Sequence, residues 1–226
     1  MKKKIIDALK EPVKNQENVI NLLIGGVLTF FPVVNFIPMG YLGIKLKKSI
    51  EQDRSSVKWD ENISKLFKKG AFLCLITLSY AIIPLLLLFL SARFMLTLSG
   101  GRFFSLFYFR GQILNIIGTL LLLIAFYFLP FAVCLYLEDD DLRNAFQFRK
   151  ILSKIFLVIK EYSVIYVLLI ALLSFSVVIL FLLLNCIAGI LTGGFIFFYD
   201  GLVISSILSK FFPRKAITIS LLEVPE

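Results

Sequence analysis

The chain has 226 residues, of which 59% are apolar and only 17% charged, and its mean hydropathy is +0.91. About a quarter of a soluble domain's residues are charged, so a water-soluble globule is excluded. The formal charge of +9 sits in lysines and arginines at the borders of apolar runs, the distribution of cytoplasmic loops in a membrane protein rather than a nucleic-acid-binding patch.

The amino-terminal 14 residues are basic, but acids interrupt them and no small-residue cleavage site follows the first apolar run. A removable signal peptide is not expected. The first charge-free run, 18–44, contains Gly25-Gly26 and then Phe31-Pro32-Val33-Val34-Asn35-Phe36-Ile37-Pro38-Met39-Gly40-Tyr41. Each proline removes an amide donor and disfavours helix at the residue before it, so a continuous helix through 32–40 is not predicted. Charge decides how the run lies. Five lysines (2, 3, 4, 10 and 14) precede it, and eight basic residues lie between Lys45 and Lys69. A single crossing would put one cluster outside, against the positive-inside bias. A re-entrant hairpin keeps both on one side and is favoured over a kinked crossing; with 27 residues it would be shallow.

In 59–69, Trp59, Ile63, Leu66 and Phe67 lie opposite Lys65, Lys68 and Lys69, which predicts a short interfacial helix. Further charge-free runs cover 70–92, 111–137 and 162–199, the last continuing past Asp200 to Ser209. A helix needs about 20 apolar residues to cross the hydrocarbon core. The 48 residues from Tyr162 to Ser209 would make a rod of about 72 Å, so that stretch must turn, and Asn185, Gly189, Gly193 and Gly194 mark the place. Transmembrane helices are predicted at 70–94, 112–137, 162–185 and 189–210, because backbone groups in lipid must be bonded within their own segment. The connection between the first two carries Phe103, Phe104, Phe107, Tyr108 and Phe109, suited to the outer headgroup level.

Between the second and third spans stand Glu138, Asp139, Asp140 and Asp141. Four consecutive acids lack the alternating spacing of a calcium loop and read as capping acids for the following helix. That helix, 141–160, repeats Leu142, Ala145, Phe146, Leu152, Ile155, Phe156 and Ile159 at helical spacing opposite Arg143, Arg149, Lys150, Lys154 and Lys160, a second basic interfacial helix. The echo of Ile63-Ser64-Lys65-Leu66-Phe67 in Leu152-Ser153-Lys154-Ile155-Phe156 is short enough to arise by chance between two such helices. The expected architecture is all-α and polytopic: one membrane domain, 1–226, with four transmembrane helices in two hairpins, the re-entrant or kinked segment 18–44, and interfacial helices 59–69 and 141–160. Both termini fall in the cytoplasm.

The string from Gly25-Gly26 through Pro32, Asn35-Phe36-Ile37-Pro38-Met39-Gly40-Tyr41, then Trp59-Asp60, Leu66-Phe67-Lys68-Lys69-Gly70, Leu129-Pro130-Phe131-Ala132, Tyr136 and Leu142-Arg143-Asn144-Ala145-Phe146-Gln147-Phe148, resembles the uncharacterised prokaryotic membrane-protein family catalogued as domain of unknown function 4013. The resemblance covers roughly 15–210. It implies a cell-membrane protein and brings no activity, catalytic residue or ligand.

For chemistry the chain offers little. It has no histidine, which removes the commonest general base and metal ligand, and no nucleophile elbow, phosphate-binding glycine loop or paired intramembrane carboxylates. An enzyme, a cofactor and a metal site are not expected. Cys74, Cys134 and Cys186 lie inside apolar runs and read as small hydrophobes. Asp200, midway along the last predicted span where an ionised group is costly, is the sharpest functional candidate, with Asn35 second. Asn115 and Asn185 read as packing amides, and Gly189 and Gly193 as a small-residue step for close helix contact. Two functions follow: a non-catalytic membrane module that scaffolds a partner or shapes the bilayer, and a small transporter or channel subunit built around Asp200. The expected contacts are anionic headgroups and a membrane-protein partner or second copy, with no nucleic acid.

Overall fold

In a lipid environment the strongest rule is that every backbone amide must be satisfied nearby, and helices satisfy it segment by segment. The computed structural model, which describes residues 2–51, 53, 55, 57–59, 62–96, 104–183 and 187–211, obeys it throughout. The elements are α1 (Lys2–Lys10), α2 (Gln16–Thr29), α3 (Phe36–Ile50), α4 (Ile63–Leu96), α5 (Phe104–Asp139), α6 (Phe148–Leu157), α7 (Ile159–Leu183) and α8 (Ile187–Phe211), with 3-10 turns at Glu11–Val13 and Leu142–Phe146. No strand occurs among the described residues.

Four helices are long and apolar enough to cross a membrane, over Ile63–Phe94, Phe109–Asp139, Ile159–Leu183 and Thr192–Lys210. They pair as expected. α4 and α5 run antiparallel, with Phe72 against Tyr136 at one end and the Ser91 hydroxyl donating to the Gly111 carbonyl at 2.8 Å at the other. α7 and α8 run antiparallel, with Ser176 bonded to Asp200 and Leu180 beside Gly193. Side-chain hydroxyls on these helices close on their own backbone: exposed Ser79 donates to the Leu75 carbonyl at 2.8 Å and Thr77 to Leu73 at 2.9 Å, so neither needs water. The fold class is thus an all-helical integral membrane protein.

The first run folds differently from the 18–44 segment read from charge alone. Helix stops at Thr29, the chain turns through 30–35, and α3 starts at Phe36. Pro38 is therefore helical, in the first turn of α3, where an amide would have no intrahelical partner anyway. The two helices reach beyond the uncharged run, over 16–29 and 36–50. The hairpin tip lies beside Gly193 and Gly194 of α8. At its base Glu11 meets Lys45 of α3 at 3.4 Å and Lys210 of α8 at 3.6 Å. Along α8 those levels are about 26 Å apart.

The stretch 63–69 is not a separate interfacial helix. It forms the first turns of α4, because Leu66 is fully buried and Gly70 keeps the helix going while its bare backbone takes the Phe36 carbonyl of α3. A Cβ at Gly70 would stand 1.7 Å from that oxygen, and one at Gly40 1.8 Å from the Leu66 carbonyl. The stretch 141–160 is likewise broken, into the turn Leu142–Phe146, α6 and the start of α7, with Gln147 (φ −80°, ψ 76°) and Val158 (φ −124°, ψ 19°) outside helical geometry. These breaks let Ile151 and Ile155 turn into the core. That core gathers Ala8, Leu46, Leu73, Ile76, Phe131, Tyr162 and Val203 from six helices. α7 ends at Leu183 and α8 begins at Ile187, so of the residues expected to mark the turn Gly189, Gly193 and Gly194 are within α8, while Asn185 and Cys186 fall outside the described residues.

Candidate functional site

The residues of interest converge where α2, α3, α7 and α8 meet. Gly25 and Gly26 of α2 let it lie directly on α8: a Cβ at Gly25 would enter the ring of Phe198, and one at Gly26 the ring of Phe195. Below them Tyr41 of α3 stacks on Trp59 (centroids 4.1 Å apart, planes 8° apart), both against Phe198. The Trp59 indole N–H donates to Asn21 Oδ1 at 2.8 Å, so the loop after α3 is tied back across the hairpin.

Above this aromatic stack the hairpin tip stands off from α7 and α8 and leaves an open cleft of about 560 Å³, lined by Thr29, Asn35, Met39, Leu180, Gly193 and Phe197 among others. That volume falls in the range of small-molecule sites, roughly 300–1,000 Å³. Thr29 is already satisfied, donating to the Gly25 carbonyl at 2.7 Å. Asn35 stands at the start of α3, yet its side chain makes no capping bond and no other hydrogen bond among the described residues. Three residues beyond Phe197, Asp200 is buried between α7 and α8; Ser176 bonds it, and its Oδ2 has no partner. Ser205 Oγ is the other orphan among the described residues.

Of the residues singled out from sequence, Asn35 and Gly193 thus share one cleft, with Asp200 a helical turn away. Gly193 packs against Leu180 at a distance that leaves no room to spare (3.1 Å from a would-be Cβ); the surroundings of Gly189, in the first turn of α8, are outside the described residues. Asn115 is exposed on α5. The four acids divide their work. Asp141 caps the 3-10 turn through the Arg143 amide (2.9 Å), as expected for a capping acid. Glu138 pairs with Lys154 (3.1 Å), Asp139 accepts from Asn144 (2.8 Å), and Asp140, at φ +55°, bridges Lys47 (3.1 Å) and nearly buried Lys69 (2.8 Å). Burial pushes the Asp140 carboxyl up, but Lys69 and Lys47 outweigh it and hold it below the usual carboxylate range.

Sequence reasoning missed the α2–α8 and α3–α4 crossings. Their signal was present, since Gly25-Gly26, Gly40 and Gly70 are small residues inside apolar stretches, but nothing in the spacing says which helix approaches which.

All of this defines a helical integral membrane protein whose hairpin is clasped by its own spans. A family model described as Protein of unknown function (DUF4013) matches residues 24–208, and the chain belongs to that family. No curated protein and no solved structure matches it.

Proposed function

We propose that the protein is a non-catalytic module of the cell membrane that grips the anionic cytoplasmic leaflet and shapes the bilayer from that side. The observation that carries this reading is α6. Its apolar arc is divided: Ile151 and Ile155 are buried in the core, while Phe148, Leu152 and Phe156 are exposed and flanked by exposed Arg149, Lys150 and Lys160. A helix held rigidly by one edge of its apolar face, with the other edge and a basic flank left open, suits the headgroup plane of an anionic leaflet. The ties of Glu11 to both Lys45 and Lys210 support a hairpin that enters and returns on the side of the α8 carboxyl end, with both termini cytoplasmic. Bulk of this kind added to one leaflet expands that leaflet.

Reconstitution tests it. In vesicles of mixed phosphatidylglycerol and phosphatidylcholine the protein reduces vesicle diameter. The double variant Phe148→Ser/Phe156→Ser, altered only at exposed positions, does not. Equal diameters for both proteins would overturn the proposal, and stoichiometric copurification of a second membrane protein would turn it towards scaffolding.

A second reading, a small-solute or ion transporter, is favoured by Asp200 with its unpartnered oxygen. It requires pH-dependent flux in the same vesicles that vanishes in Asp200→Asn.

A further inference from the structure

The cleft at the hairpin tip has a definite level in the membrane. Gly193 stands about 26 Å along α8 from Lys210, close to the roughly 30 Å thickness of the hydrocarbon core, so Asn35, lining the same cleft, lies near the face opposite the Lys210 end. From Gly193 to Phe198 the cleft runs about 8 Å inward along α8. Phe30 and Phe197, which line it, are 44% and 48% exposed, so it opens sideways among side chains that face lipid. Among the described residues no acid or base lines it, so it reads no charge. Water is a poor occupant, because a held water needs two to four polar partners and Thr29 is committed to Gly25.

The donor left over is the Asn35 amide. An unpaired amide at the edge of hydrocarbon is costly, and the acceptors abundant at that depth are the ester carbonyls where lipid headgroups meet their chains. We infer that this cleft is a lipid site: one acyl chain of a bilayer phospholipid lies between α3 and α8 against Met39 and Phe197, with its ester carbonyl accepting a hydrogen bond from the Asn35 side chain. The hairpin tip is then completed by a lipid. This site is independent of bilayer shaping, since it uses neither α6 nor the basic flank.

Photolabelling of the full chain in vesicles tests it, with phosphatidylcholine carrying a diazirine on one chain as the probe. Labelling concentrates on the peptides containing Met39 and Phe197, above the level at Phe181, a lipid-facing residue of α7 that reports ordinary annular contact. Met39→Trp, which fills the cleft, lowers labelling there to the Phe181 level. Asn35→Leu, which removes no capping bond, lowers it about fivefold, the worth of one hydrogen bond of about 1 kcal/mol. In both variants the Phe181 label is unchanged, which shows that the protein is folded and inserted. Uniform labelling, or cleft labelling indifferent to both substitutions, overturns the site. Stronger cleft labelling by diazirine palmitic acid than by the phospholipid overturns the assignment to a phospholipid chain.

Discussion

α7 and α8 have the same length, 25 residues each, and opposite fates. α7 is the more hydrophobic of the two, yet only 17% of its apolar window is buried, against 56% for α8. In water the greasier helix would go inside. Here hydrocarbon is the solvent, and there is no hydrophobic drive between helices. What brings α8 to the centre is its small and polar side: Gly193, Gly194, Asp200, Gly201, Ser205 and Ser206 allow close approach by α2 and α3 or seek partners. α7, with Val167, Phe175, Phe181 and Leu182 outward, faces lipid. It is fastened to the rest by a few directed bonds, Tyr162 to the Tyr127 carbonyl and Tyr166 to the Leu123 carbonyl, each 2.6 Å.

The sharpest way to break the contrast is a matched pair of truncations. Phe198→Ala on α8 removes a ring that is 1% exposed and is expected to cost about 3–5 kcal/mol. Phe181→Ala on α7 removes one that is 70% exposed and should cost less than about 0.5 kcal/mol. Thermal unfolding in detergent measures both, and equal losses would mean that α7 is covered by protein.

Smaller is the effect of a single methyl group on α8. Gly194→Ala places a Cβ 2.5 Å from the Gly26 carbonyl, a backbone atom that cannot step aside, whereas Gly193→Ala meets only the mobile end of Leu180 at 3.1 Å. The first should cost about 1–3 kcal/mol by overpacking and the second less, as read in the same melts.

Acid sharpens the comparison at the base, with the smallest effect. α8 is tied there to Glu11, which accepts from the Ser206 hydroxyl and pairs with Lys45 and Lys210. Burial raises the Glu11 carboxyl, but Ser206 and then the two lysines outweigh it and hold it below its ordinary value. A depressed carboxyl contributes stability above the ordinary Glu value and loses it as pH falls through the depressed one. Below about pH 4 the amino-terminal segment should therefore loosen from α8, at a cost of about 1 kcal/mol for a tie that is partly open to solvent. The α7 bonds, which carry no charge, hold. Hydrogen exchange comparing residues around Ala8 with those around Tyr162 reads it, and simultaneous loosening would remove the distinction.

Much of the frame was legible in the residues. Charge-free runs beginning at Gly70, Gly111 and Tyr162, each exceeding the about 20 residues a crossing needs, leave one outcome in hydrocarbon, since a backbone there must bond itself. Pro32 falls in the break between α2 and α3, and Asp141 before Arg143 capped a turn. Lys65 and Lys68 did not make 63–69 an interfacial helix, because Leu66 and Gly70 on its other side were needed against α3, and no local pattern records a partner distant in sequence. Asp200 was visible as an oddity and Asn35 as part of an uncommon string, but not the cleft near both.

By itself the chain determined that it is helical, where its helices lie in lipid and where they cannot continue, because those choices are settled between each residue, its neighbours and the solvent. Only the tertiary structure decided that α8 is central, that glycines 40 and 70 touch backbone, that Asp140 joins two lysines, and that an unpaired amide overlooks a cleft. Close packing depends on the shapes of surfaces far apart in sequence, and one chain's order of residues does not say which surfaces meet.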